Sequence, residues 1–193
     1  WLGFPAERTG DAVITPADWR TEPEAVLRRL RALPGLTEMS GRVRRLSADG
    51  ARWTAILEDG SGLAARAVVL ATGAVNGLDL PESAARLIAQ VRPIRGQIAV
   101  TDRHLVERVV RGPAGYLAPC PGGTVIGATM EPDRTDLDPD LEQGASLARA
   151  CLAQIGIGEG VPVTWRVGVR GATRDGLPMA GAAGPAGLHL ALA

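Results

Sequence analysis

Three short segments hold the side chains with which this sequence could do chemistry. Val68-Val-Leu-Ala-Thr-Gly-Ala74 sets an apolar run directly before Thr72-Gly73, and a small residue after a buried strand lets the backbone approach a bound group closely. Pro93-Ile-Arg-Gly-Gln97 places an arginine and a glutamine at the mouth of a strand behind a rigid proline. Arg166 to Gly181 carries Arg170 and Arg174 in a glycine-rich frame and closes on the turn Asp175-Gly-Leu-Pro178. A glycine-flanked guanidinium at a strand end is suited to clamp a carboxylate through two parallel hydrogen bonds. Taken singly, each of these segments also reads as an ordinary strand end or a surface arginine.

The rest of the composition removes chemistry. All 21 basic residues are arginine, so no Schiff base, P-loop lysine or lysine general base exists. His104 reads as a surface residue and His189 as a half-buried strand residue, neither beside a nucleophile or carboxylate, and no Gly-x-Ser-x-Gly elbow occurs. Cys120 and Cys151 make neither a disulfide framework nor a zinc site. Gly156-Ile-Gly-Glu-Gly160 has the wrong spacing for a dinucleotide fingerprint and follows a helix, so it reads as a loop. No side chain is therefore assigned as a catalytic acid, base or nucleophile, and no metal site is expected. Zero net charge, one Tyr and one Phe argue against a nucleic-acid partner. No apolar run approaches the roughly 20 residues that span a bilayer.

The elements that must position these segments follow from periodicity. Ala25, Val26, Leu30 and Leu33 recur at helical spacing between Thr21 and Leu33, with Pro34-Gly35 as a stop. Strands are expected at 37–46, 52–58 and 64–71, with Asp49-Gly50 and Asp59-Gly60 as turns. Ala67-Val-Val-Leu-Ala71 is apolar on both faces, as in a buried parallel layer. A short helix-like patch at 81–90 precedes strands at 94–100, 115–119 and 124–129. Asp138-Pro139 opens a helix to about Ile155, with proline in its first turn, and strands follow at 163–169 and 187–193. The expected class is α+β: an antiparallel sheet with a covering helix, beside part of an α/β, Rossmann-like domain. The chain starts at Trp1-Leu-Gly-Phe-Pro5 without methionine and ends in an alternating apolar run, which reads as a piece cut from a longer protein.

In this order, the Val-Leu-Ala-Thr-Gly strand, Pro-Ile-Arg-Gly-Gln, Gly115-Tyr-Leu-Ala-Pro119, Val125-Ile-Gly-Ala-Thr-Met-Glu131 and the stretch from Arg170 to Gly181 resemble the FAD-dependent amino acid oxidase family. That family includes D-amino acid oxidase, glycine oxidase, sarcosine oxidase and the flavin domain of a bifunctional tRNA-modifying enzyme. The resemblance implies a partial FAD-binding domain over 1–90, a substrate-binding domain over 91–181 and a returning FAD-domain strand over 182–193. It implies substrate binding by Arg170, on the carboxylate, and by Tyr116, which closes the pocket. It places Val43 by the adenine, Ala71, Thr72 and Gly73 at the strand end beside the cofactor, and Asp175 and Gly176 near the flavin. The implied reaction takes the C–N bond of glycine or a D-amino acid to an imine, with hydride passing to the flavin and electrons to oxygen, while protein groups bind and orient. A small amino acid is then the partner, the cytoplasm the location, and a homo-oligomer is compatible. The alternatives are the FAD domain of a tRNA 5-methylaminomethyl-2-thiouridine-forming enzyme and a non-catalytic binding domain. The family's Gly-x-Gly-x-x-Gly segment and the glycine-rich segment after its last strand are absent, so this chain alone is expected to bind FAD weakly and to be inactive.

Overall fold

A computed structural model describes residues 7–10, 12–14, 21–74 and 77–192. The reading of Trp1 to Pro5 and the expected end of the last strand at Ala193 lie outside them. In chain order the elements are β1 (Glu7–Thr9), β2 (Ala12–Ile14), α1 (Pro23–Arg31), β3 (Val43–Asp49), β4 (Arg52–Leu57), β5 (Gly62–Ala65), β6 (Val68–Leu70) and α2 (Glu82–Ile88). They continue as β7 (Arg92–Thr101), β8 (Val110–Gly112), β9 (Gly115–Cys120), β10 (Gly123–Gly127), β11 (Glu131–Pro132), α3 (Leu141–Ala153), β12 (Thr164–Ala172), β13 (Met179–Ala182) and β14 (Leu188–Leu192). The mostly antiparallel sheets and three helices make the fold α+β.

Two compact units interleave along the chain. The first holds Trp1–Thr37, Arg95–Glu131 and Asp136–Gly168; the second holds Glu38–Ile94, Pro132–Thr135 and Val169–Ala193. In the first, antiparallel pairing runs β1-β2-β8-β9-β10-β7, with β12 also on β7. Directly opposed residues share a face, so Ala99, Ile126, Leu117 and Val110 form one row, and it packs with Ala148, Cys151 and Leu152 of α3. The next row, Ile98, Gly127, Tyr116 and Arg111, faces the other way. Asp140 caps α3 by accepting from the Gln143 N–H at 2.9 Å. Pro139 therefore precedes the cap and does not sit in the first turn as the sequence implied. A Cβ at Gly144 would come within 2.1 Å of Gln97 Nε2 and 2.7 Å of the Trp165 ring, so glycine lets α3 lie close to the sheet.

In the second unit β3, β4 and β5 form a meander, with Gly50 at φ 58° opening the tight connection from β3 to β4. A separate sheet has the order β13-β14-β6, with β14 and β6 parallel. Its core gathers Leu46, Trp53, Leu70, Ala84, Ile88, Val91, Leu188, Leu190 and Leu192. The Trp53 indole N–H donates to the Ala186 carbonyl at 3.0 Å and ties the meander to the turn before β14.

Several expectations need correction. The strand at 64–71 is two strands: Trp53 of β4 pairs with Ala65, while Val68 turns to pair with Leu188. One apolar run thus serves two sheets. Nor is it buried on both faces, because Val69 is 60% exposed and His189 opposite it is exposed too. The strand expected from residue 37 starts at Val43, six residues later, and the strands β1, β2, β8, β11 and β13 were not foreseen. Helix α1 forms, with Pro23 at its start and Arg28, Arg29 and Arg31 in its last turn, yet none of its residues is buried.

Candidate functional site

In the second unit, β6 ends at Leu70 and the chain turns through Ala71, Thr72 and Gly73, the last at φ 60°. Strand β3 begins beside it, and Gly41, Val43, Thr72 and Leu78 line one cleft of about 360 Å³ with Arg42, Arg44, Glu58 and Gly77. The structure thus brings Val43 and Thr72 together, although 29 residues separate them in sequence. Ala71 is exposed at the strand end and is not among the lining residues.

Thr72 is the informative member. Its Oγ1 is buried and has no hydrogen-bond partner. A buried hydroxyl left unsatisfied costs about 1–3 kcal/mol, so native structures keep such groups for a reason. Gly73 and Gly77, both at positive φ, have nothing within 4 Å of where a Cβ would stand, so backbone there is open to close approach. An unsatisfied hydroxyl, open backbone and apolar Val43 and Leu78 fit the nucleotide end of FAD, which would be held by Val43 and Thr72 in one cleft; Gly73, the next residue after Thr72, is not among its lining residues. Arg44, Glu58, Gly77 and Leu78 were not picked out in the sequence; the arginine-rich Gly41-Arg-Val-Arg-Arg45 around Val43 was a signal for Arg44, and none marked the other three.

A second cleft, of about 550 Å³, is lined by Gln90, Thr173, Arg174, Asp175, Leu177, Pro178 and Met179. Its loop is internally braced. The Thr173 hydroxyl donates to the Leu177 carbonyl at 2.6 Å, the Leu177 N–H to Asp175 Oδ1 at 3.1 Å, and the Gly176 N–H to the Thr173 carbonyl at 3.1 Å. The Leu177 N–H, with the Thr173 hydroxyl beside it, holds the Asp175 carboxyl below its ordinary value. Gly176, at φ 72°, supplies the left-handed turn. Arg170 stands on β12, two residues inside a strand that runs past its expected end at Val169. It is exposed, and its side chain has no hydrogen-bond or ion-pair partner among the described residues.

Tyr116 belongs to the first unit. It is half-buried on β9, opposite Arg111 on one side and Gly127 on the other. A Cβ at Gly127 would fall 2.9 Å from the Tyr116 hydroxyl, so the phenol lies across a strand position that only glycine leaves clear. Burial pushes the phenol pKa up, and the Arg111 charge opposes that in part.

Arg95 and Gln97, read as residues at a strand mouth, are fully buried braces. Arg95 donates to Glu131 at 2.6 Å, to the Asp136 carbonyl at 3.0 Å and to the Asp138 carbonyl. Gln97 accepts from the Asp140 N–H and donates to its carbonyl, both at 2.8 Å. These bonds fix the segment before α3 and leave neither side chain for a ligand. His104 and His189 are both exposed, which corrects the half-buried reading of His189. Among the described residues no cluster of His, Cys, Asp and Glu could hold a metal ion.

A family model described as FAD dependent oxidoreductase, DAO, matches residues 3–193. The chain is 33% identical over 189 residues to the tRNA 5-methylaminomethyl-2-thiouridine biosynthesis bifunctional protein MnmC of a Caulobacter strain, covering 91% of this chain and 28% of that protein. It is 34% identical over 185 residues to the MnmC protein of Idiomarina loihiensis, covering 89% and 29%. Among solved structures, glycine oxidase from Geobacillus kaustophilus superposes with a TM-score of 0.61 at 27% identity, over 78% of this chain and 41% of that one. Iminodiacetate oxidase from Chelativorans gives 0.57 at 25% identity, over 79% and 43%. The chain therefore spans less than a third of these curated relatives and less than half of these oxidases.

Proposed function

The chain belongs to the DAO family of FAD-dependent oxidoreductases, and on that premise we propose that it is the substrate-binding portion of an enzyme that oxidises the C–N bond of a small amino acid, glycine or a D-amino acid. FAD, when bound, supplies the two-electron acceptor that oxygen then regenerates. The carbon beside nitrogen loses a hydride and the nitrogen a proton, leaving an imine. The task of this chain's own residues is to hold the carboxylate and orient that carbon, since the chain contains no lysine to act as a base and both of its histidines are exposed. Arg170 receives the carboxylate and Tyr116 bounds the substrate. Val43, Ala71, Thr72, Gly73, Asp175 and Gly176 serve the cofactor. With both cysteines free, we take the location as cytoplasmic, where thiols stay reduced; no helix of the described residues is long and apolar enough to cross a membrane.

The observation that supports this reading best is the exposed, unpartnered guanidinium of Arg170, three residues before the braced Thr173–Leu177 loop. The named substrates of the glycine and iminodiacetate oxidases both carry a carboxylate on the carbon next to an amine, the group such an arginine would grip. In an enzyme containing this chain, Arg170→Leu is expected to raise KM for glycine about tenfold or more with a smaller change in kcat, as loss of a charged hydrogen bond requires. An unchanged KM would remove Arg170 from the role.

A second reading, the flavin domain of a tRNA-modifying enzyme, is favoured by the identity of 33–34% over about nine-tenths of the chain. A tRNA mobility shift that weakens with salt would support it. Peroxide release with glycine and no tRNA shift would support the first.

A further inference from the structure

We propose that Arg44 anchors the adenosine diphosphate half of FAD in the cleft it shares with Val43, Thr72 and Leu78, and that this charge makes the cleft prefer a diphosphate to a bare nucleoside. The proposal rests on the family's FAD dependence and not on the identity of the oxidised substrate.

The chemistry of the cleft is divided. Val43 and Leu78 offer apolar contact to a flat base, and the Thr72 hydroxyl, buried without a partner, offers one hydrogen bond. Two arginines line the same space, and they are not equivalent. Arg42 has a partner, with its Nε 3.5 Å from Glu58 Oε1. The Arg44 side chain has no hydrogen-bond or ion-pair partner among the described residues. Its carbonyl accepts from the Asp79 N–H at 2.8 Å, and that bond fixes the backbone from which the side chain springs. The shift in register between Val43 and Arg45 gives β3 an extra residue at Arg44, and such bulges re-aim the side chain they carry. A guanidinium left over beside an apolar cleft with an unsatisfied hydroxyl matches a ligand that is a neutral base at one end and a phosphate chain at the other. Its planar donors suit phosphate oxygens, and its charge does not titrate.

The test is calorimetric titration of the purified chain with ADP, adenosine and FAD at up to millimolar concentrations, repeated with Arg44→Gln and Thr72→Val. Arg149→Gln, an exposed arginine of the other unit, is the control. The chain should bind ADP about tenfold more tightly than adenosine, the size of one charge-assisted hydrogen bond. Arg44→Gln should remove that difference and leave adenosine unchanged. Thr72→Val should weaken both ligands alike, Arg149→Gln neither, and FAD should displace ADP. Because Arg44 is exposed, its replacement leaves the fold intact, and circular dichroism verifies this. Equal affinity for ADP and adenosine, an Arg44→Gln chain that still prefers ADP, or no binding of either nucleotide would overturn the proposal. ADP that binds but is not displaced by FAD would overturn it as well. None of these results depends on substrate turnover, so a failed proposal is told apart from a failed assignment of the reaction.

Discussion

Replacing Arg95 with methionine should unfold the first unit at markedly lower denaturant. Arg95 has no exposed surface, and its guanidinium meets Glu131 at 2.6 Å, the Asp136 carbonyl at 3.0 Å, the Asp136 carboxylate at 3.3 Å and the Asp138 carbonyl. Methionine keeps most of the aliphatic stem and deletes every donor. Glu131, only 9% exposed, then keeps the 2.7 Å bond from the Thr129 hydroxyl but loses the Arg95 charge at 2.6 Å. Removing one partner of a buried pair costs roughly 3–5 kcal/mol, a large part of the ~5–15 kcal/mol by which domains are stable. With a urea slope of about 2 kcal/mol per molar, the midpoint should fall by roughly 2 M. Arg95→Met with Glu131→Leu should recover part of the loss, because an apolar pair of similar volume often replaces a buried ion pair at little cost. Hydrogen exchange in urea, read on peptides covering β7 and β10 and compared with β4 of the other unit, separates the two units and avoids assuming a single transition. A loss below about 1 kcal/mol, or a double variant no more stable than the single one, would refute the view that charge compensation holds this segment.

Tyr116 is the sole tyrosine of the sequence, so ultraviolet titration of phenolate reports it directly. The midpoint should lie above the ordinary value of about 10 because burial outweighs the Arg111 charge, and Arg111→Gln should move it higher still. With the folded value above the unfolded one, the stability linked to this group is complete below about pH 10 and is lost as pH rises through the folded value; a midpoint at or below the ordinary value contradicts this account. Gly115→Ala should cost about 1–3 kcal/mol in thermal unfolding, since a Cβ there would stand 2.2 Å from the Gly127 carbonyl oxygen at φ 146°. Gly122→Ala, with nothing within 4 Å and no positive φ, should stay within about 0.5 kcal/mol, and equal effects at the two glycines would reject the steric argument.

The sequence by itself determined most of the local structure. Period-two runs placed β4, β7, β9, β10 and β14, helical spacing placed α1 and α3, and glycine marked the turns, because these signals depend on residues a few positions apart. The order of the motifs likewise carried the resemblance to the FAD-dependent amino acid oxidase family. Pairing partners were not legible, and they changed the meaning of several residues. Residues 64–71 read as one strand, yet Ala65 pairs with Trp53 and Val68 with Leu188, more than a hundred residues away. Arg95 and Gln97 had the composition of a ligand-binding pair, but burial and the acceptors supplied by residues 131–140 make them structural. Conversely, Arg44 was one arginine among many until the shared cleft and the unsatisfied Thr72 hydroxyl set it apart. Local propensity is written in neighbouring side chains, whereas burial and hydrogen-bond satisfaction depend on what distant segments bring to the same place. Only the tertiary structure decides which polar groups are used up and which remain for a ligand.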